Sequence, residues 1–318
     1  MTAFLRAFGR NAGTNAGIAA SKGRSTFVVA CKDGLLTILL LAIVAPLCVA
    51  QGSREILVVT AGSADYILAA GGTLASFIQK GYTVDVAQFG NDEKLSSGLT
   101  PAQTRLANIE EARQAAKLLG VHDTVYMAHK SGETGQIAST EMRSQLFALI
   151  RRLRPQVIFI PDPYVHYQLD HDQFYVGKMA EEAWGYSGGS TFANELERMG
   201  FRPYSAPEVY YYAERPHRSG EGGEGNAKFL AVDISSTMDL KCMAIELLLT
   251  HNRFRAVQAK LRPLDDLSVK NMARSYAEEL AETIGKKHGL RSAEEFNYVN
   301  MRSGDALPPH LRERAVPK

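Results

Sequence analysis

Residues 55–75 read EILVVTAGSADYILAAGGTLA. The run ILVVT (56–60) is short, β-branched and apolar throughout, as expected of a strand covered on both faces. Residues 65–80 then carry helical spacing and stop at Lys80-Gly81, a C-terminal end signal. A buried strand that runs through a tight loop into a helix begins an alternating α/β pattern.

The alternation continues downstream. YTVDVAQF (82–89) reads as a second strand, and the polar segment 90–103 as a loop. TRLANIEEARQAAKLLG (104–120) is an amphipathic helix closed by Gly120. DTVYMA (123–128) is a third strand, 140–155 a helix whose exit is set by Pro155, and QVIFIPD (156–162) a fourth strand. A loop follows over 161–177, with a helix beyond residue 173. PEVYYYAER (207–215) and KFLAVDI (228–234) read as strands, and MDLKCMAIELLLTH (238–251) as one helix that Asp233 or Ser235 to Thr237 is placed to cap. A long helical region includes 267–287. Strands alternating with helices imply a parallel sheet with right-handed crossovers. The expected fold is α/β, a Rossmann-like three-layer sandwich with a mainly parallel sheet, formed by one domain over 51–303 with a fraying tail at 304–318.

Before that domain lie Arg6, Arg10, Lys22, Arg24 and Lys32, then the apolar run LLTILLLAIVAPLCVA (35–50). The run is shorter than the ~20 residues of a membrane span. A basic flank, an apolar middle and the small residue Ala50 resemble a secretory signal. Two readings stand: export with cleavage after Ala50, to the periplasm or outside the cell, or an N-terminal membrane anchor that contacts lipid through 35–50. Cleavage would leave Cys242 as the lone cysteine, within the apolar stretch KCMAIELLL, where a buried inert thiol is expected. The formal net charge of +2 provides no electrostatic footprint for nucleic acid. No GxGxxG dinucleotide spacing and no GxSxG nucleophile elbow is present.

The opening stretch resembles the LmbE/PIG-L family of zinc-dependent N-deacetylases, whose first loop carries HPDDE. Here those five places read Gly62, Ser63, Ala64, Asp65 and Tyr66. Asp162-Pro163-Tyr164, Tyr167 and Gly177 align without a gap to the family's DPW…YEAHPDHRATG segment. In that register its first histidine falls on Asp170, its proline on His171, its aspartate on Asp172 and its metal-binding histidine on Gln173. GNDEKLSSGLTP (90–101), HKSGET (129–134), VYYYAERP, KCMAIELLLTH with His251, and AEEFNYV (293–299) resemble further family segments, so the similarity spans about 55–300.

The resemblance implies a metal held by two histidines and an aspartate, and a neighbouring aspartate that deprotonates the bound water. A divalent zinc ion lowers the pKa of that water from ~15.7 to about 7, and a close carboxylate takes the proton. Gly62 has no ligating side chain, Ala64 accepts no proton and Gln173 is a poor zinc ligand. Asp65 remains at a metal-ligand position. If the loop slips by two residues, His171 becomes a second ligand and Asp172 or Asp170 the replacement base. Asp65 and His171 with a further carboxylate, Asp162 or Asp172, then suit manganese or magnesium as well as zinc. The remaining candidates for a substrate cleft are Tyr66, His129, Glu133, Tyr167, Gln173, Tyr211 and His251.

Three functions compete on this reading. The first is an inactive homologue that needs no cofactor and keeps a cleft for a carbohydrate or glycoconjugate. The second is a divergent metal-dependent hydrolase that removes acetyl groups from N-acetylated sugars. The third is an exported scaffold or assembly protein. Oligomeric state is not legible in the sequence.

Overall fold

In a computed structural model of the full chain, residues 54–165, 171–218 and 229–303 are described, all within one unit spanning Gln51–Lys318. The basic segment, the apolar run 35–50, the tail from 304, and Tyr167 and Asp170 lie outside the described residues. No helix among the described residues is long and apolar enough to cross a membrane.

The chain runs β1 (Glu55–Thr60), α1 (Asp65–Gln79), β2 (Thr83–Gly90), α2 (Pro101–Leu119), β3 (Asp123–His129), α3 (Ser139–Leu153) and β4 (Val157–Pro161). Then come α4 (His171–Tyr186), α5 (Asn194–Arg198), β5 (Glu208–Tyr212) and β6 (Phe229–Asp233). Helices α6 (Met238–Leu247), α7 (Leu249–Gln258) and α8 (Asp266–His288) precede β7 (Ala293–Asn300).

The seven strands form one sheet in the order β3-β2-β1-β4-β5-β7-β6. The first five pair in parallel, with Ile56 opposite both Val84 and Val157. The sheet is mixed, because β7 runs antiparallel to both β5 and β6. Helices cover both faces, as the α/β sandwich requires. On one face α1, α2, α6 and α8 enclose a core with Ile56, Val58, Ile67, Leu74, Phe159 and Phe296. On the other, α3 packs against α4.

Four local readings of the sequence are corrected. Helix α2 begins at Pro101, not 104, because Thr100 and Gln103 form a reciprocal capping box with Pro101 at the first helical position. Helix α4 begins at His171, so His171, Asp172 and Gln173 occupy a first helical turn instead of a loop. The helix expected over 238–251 is two helices broken at Leu248. No side-chain cap closes α6: Thr237 donates its hydroxyl to Gly72 O (2.8 Å), and Asp233 accepts from Ser235 N (2.8 Å). One glycine positions the site directly. A Cβ on Gly177 would stand 2.3 Å from Pro161 O, so only glycine lets α4 lie this close to the end of β4.

Candidate functional site

The strand order reverses between β1 and β4, so the crevice expected in such sheets opens beyond their carboxyl ends. The loop after β1 contributes Gly62, Ser63 and Ala64, and α1 begins with Asp65. Asp65 turns back on its own loop, and its Oδ2 accepts from Gly62 N (2.7 Å) and from Thr60 Oγ1 (3.5 Å). The loop after β2 brings in Asp92, which is buried although the sequence places it among polar loop residues. Its Oδ2 accepts from Ser63 N (2.9 Å) and Gln88 Nε2 (3.1 Å), while its own N–H donates to Ser131 Oγ (2.7 Å). Asp92 adopts φ 52°, a left-handed conformation that aspartate tolerates better than most residues. The two carboxylates converge on Gly62: a Cβ there would stand 2.9 Å from Asp92 Oδ1 and 3.3 Å from Asp65 Oδ1. Asp92 thus crowds the place where a histidine side chain would begin.

A second polar cluster joins α4, the segment after β5 and α7. Gln173 Nε2 donates to Glu214 Oε1 (3.0 Å), and Arg255 Nη2 donates to Glu214 Oε2 (2.7 Å). Arg255 Nε donates to His251 Nε2 (3.1 Å), one helical turn earlier on α7. Burial opposes the charge of Arg255, but the carboxylates of Glu214 and Asp65 outweigh it and raise the guanidinium pKa. Burial, helped by the Arg255 charge, pushes the His251 imidazole down to about 3. His251 is therefore neutral at pH 7. Since its Nε2 accepts, the proton sits on Nδ1, which has no hydrogen-bond partner among the described residues.

The other expected site residues have different roles. Asp172 is buried and accepts from Gly132 N (2.5 Å), Thr134 N (3.2 Å) and Thr134 Oγ1 (2.6 Å). These bonds make it a clamp on the 132–134 loop. His171 is exposed. Tyr66 belongs to the core, not the cleft, and burial raises its phenol pKa. Tyr211 is likewise fully buried, donating to Glu181 Oε1 (2.9 Å), which also accepts from Tyr164 (2.7 Å). Neither tyrosine offers a free face to a sugar. His129 stacks on Phe89 (centroids 5.9 Å) and pairs with Gln145 (3.3 Å). Glu133 pairs with Lys130 (2.7 Å) and Lys94 (3.4 Å) on the surface. Asp162 is engaged inside the protein, where its Oδ2 lies 3.0 Å from His217 Nε2.

These residues do not fit the zinc set that the resemblance implies. Position 62 has no side chain and little room for one, the amide of Gln173 is spent on Glu214, and Ala64 is apolar. Among the described residues no three His, Cys, Asp or Glu side chains are grouped to hold a metal ion, so Asp65 and His171 gain no third partner there.

Residues 57–183 match the family described as PIG-L, GlcNAc-PI de-N-acetylase. Over those residues the chain resembles a PIG-L (LmbE-like) domain. The chain is 25% identical over 252 residues to the diacetylchitobiose deacetylase of Thermococcus kodakarensis, which covers 77% of this chain and 83% of the relative. It is 27% identical over 203 residues to the 4-oxalmesaconate hydratase of Pseudomonas putida, covering 61% and 72%. The N,N'-diacetylchitobiose deacetylase structure from Pyrococcus horikoshii superposes with a TM-score of 0.66 at 21% identity, covering 81% of this chain and 88% of that one. That similarity shows the fold. The PIG-L match ends at residue 183, before the hydrogen-bonded residues Glu214, His251 and Arg255.

The sequence places Asp92 in a polar loop near the expected cleft but does not register its burial, and sequence reasoning missed two further residues. Glu214 falls inside the strand expected over 207–215, whereas β5 ends at Tyr212 and leaves it beyond the strand, bonded to Gln173 and Arg255. Arg255 carried one usable signal, its spacing of four from His251 on a helical pattern.

Proposed function

We propose that this PIG-L-like protein binds a carbohydrate or glycoconjugate in its crevice without metal-dependent deacetylation. One observation carries the reading. The positions that would hold the metal and its base are a glycine packed against Asp92, an alanine, and a glutamine bonded to Glu214. With Ala64 at the base position and no group of three His, Cys, Asp or Glu side chains placed to hold a metal among the described residues, this chain's own groups provide hydrogen-bond donors, acceptors and charge, which suit binding of a polar ring. The resemblance to deacetylases of N-acetylated sugars supports the ligand class. The basic segment and apolar run before residue 51 support export of the domain over 51–303.

The test is calorimetric titration of the purified protein with N,N'-diacetylchitobiose and N-acetylglucosamine, with and without added zinc, alongside an assay for released acetate. Saturable binding unaffected by zinc, with no acetate released, is the expected result. Acetate release that depends on zinc and is lost in Asp65→Ala would overturn it in favour of a hydrolase. Absence of sugar binding in every condition would remove the carbohydrate reading and leave a scaffold role.

A further inference from the structure

The end of the sheet opposite the crevice carries a group of cations that crevice binding does not use. Strands β1, β4 and β5 run parallel, with Ile56 opposite Val157 and Val157 opposite Glu208, so their starts lie level at that end. Strand β7 runs back to it, with Asn300 opposite Glu208 and Met301 N donating to Pro207 O (2.8 Å). Arg54 immediately precedes β1, Arg154 lies just before β4, and Arg302 follows β7. Strand pairing therefore sets three arginines at one end of the sheet. Lys80, at the C-terminal end of α1, joins them, because its carbonyl accepts from Arg54 Nη1 (3.3 Å).

All four side chains belong to exposed residues. Arg154 ends α3 with φ 51°, and its guanidinium carbon stands 4.4 Å from the centroid of the Tyr204 ring. The Tyr204 hydroxyl in turn donates to Pro155 O (2.9 Å). Among the described residues none of the four cations is in an ion pair, whereas Lys94, Lys130, Arg143, Arg253 and Arg274 each hold a carboxylate. The acidic residues at the starts of β1 and β5 are Glu55, which is half-buried, and Glu208, which accepts from the Tyr298 hydroxyl (3.0 Å). Towards the β3 edge, Asp85 is taken up by His122 (2.8 Å). The outcome is a local positive face on a chain whose formal net charge is only +2. Met301, an exposed apolar side chain, lies next to Arg302.

The chain also enters the domain at this end. The apolar run 35–50 stops five residues before Glu55, a reach of at most ~18 Å. We propose that the face formed by Arg54, Lys80, Arg154 and Arg302 docks on the headgroups of an anionic phospholipid surface, with the crevice turned away from the lipid. Guanidinium groups match phosphate through paired hydrogen bonds. A basic patch close in sequence to a hydrophobic segment provides the two signals that stable membrane attachment needs. The proposal does not depend on what the crevice binds.

The test is co-sedimentation of the full chain with vesicles of phosphatidylcholine alone and of phosphatidylcholine mixed with phosphatidylglycerol, together with hydrogen exchange on both. The variant is Arg54→Gln/Lys80→Gln/Arg302→Gln, which leaves the contact between Arg154 and Tyr204 in place. The parent protein is expected to favour the anionic vesicles, to release from them as salt is raised, and to gain protection at 301–303 only on them. Since each basic residue near an anionic surface is worth about fivefold in partition, the triple variant is expected to lose about a hundredfold there. Its partition onto neutral vesicles should be unchanged. Equal partition of parent and variant onto anionic vesicles would overturn the proposal and assign the charge dependence to Arg6, Arg10, Lys22, Arg24 and Lys32. Loss of binding to a single-stranded oligonucleotide in the variant, with vesicle binding intact, would also overturn it. If the triple variant does not fold, exchange in the parent protein still decides, because unchanged protection at 301–303 on anionic vesicles refutes the docking face.

Discussion

Gly62 and Asp92 exclude a side chain from each other's neighbourhood: a Cβ on Gly62 would come within 2.9 Å of Asp92 Oδ1. Asp92 cannot easily retreat, because its other oxygen is bonded to Ser63 N and Gln88 Nε2. Gly62→His is therefore expected to destabilise the fold by about 1–3 kcal/mol, the usual cost of overpacking. In the Gly62→His background, Asp92→Ala should cost less than it does alone, since it relieves the crowding. Urea denaturation of the two single variants and the double variant measures this coupling. Strictly additive losses would show that the two positions do not meet.

Asp172 ties the start of α4 to the loop after β3 through two backbone N–H groups and one hydroxyl. Asp172→Ala leaves these donors without their acceptor, at a cost of about 1–3 kcal/mol or more. Hydrogen exchange should rise first at Gly132 and Thr134. An unchanged exchange rate there would contradict the clamp.

Two buried histidines give the protein stability components of opposite pH dependence. His251 has its folded pKa lowered to about 3 by burial and Arg255. Its contribution is complete above the unfolded value of ~6.5 and is lost progressively as pH falls towards 3. His217 is the reverse case. Burial works against its charge, but Asp162 (Nε2 to Oδ2 3.0 Å) and Glu295 (Nδ1 to Oε1 3.3 Å) outweigh it and raise the pKa. Its contribution is complete below ~6.5 and is lost as pH rises through the raised folded value. His251→Leu should flatten the loss of stability between pH 6.5 and 3. His217→Gln should cost about 3–5 kcal/mol at pH 6, because the buried carboxylate of Asp162 loses its cation while Glu295 keeps Lys287 and His288, and less at pH 9. Chemical denaturation across that pH range reads both slopes, and identical slopes in parent and variants would refute the assignments.

Cys242 is buried in α6, and burial pushes its thiol up to about 11. A thiol with these properties is expected to resist iodoacetamide at pH 7.5 while the protein is folded and to react on unfolding. Mass analysis of the Cys242 peptide before and after denaturant provides the check. Rapid native labelling would show that the helix opens locally.

Much of the architecture follows from local pattern. Short apolar β-branched runs separated by amphipathic stretches specify covered strands and their crossover helices, because each period buries a different geometry. Strands β1 to β5 were therefore legible to within three residues at each end. Boundaries governed by capping were harder to read: Thr100 and Gln103 start α2 three residues early through a reciprocal bond that hydrophobic periodicity does not register. The break at Leu248 lies inside an unbroken apolar pattern, where packing overrides propensity.

The sequence by itself determined the alternating α/β frame and the residue types at Gly62, Ala64 and Gln173, none of which carries an imidazole or a carboxylate. A residue's chemical type is local, so a missing imidazole or carboxylate can be read directly from the chain. Tertiary structure alone decided which side chains meet. It moved Tyr66 and Tyr211 into the core and turned Asp172 into a clamp. It set Asp92 against Gly62 and joined Gln173, Glu214, Arg255 and His251 into one chain of hydrogen bonds. Those contacts depend on strand order, helix rotation and the point where each strand ends. These are set by how the whole core packs, and no short stretch of sequence encodes them.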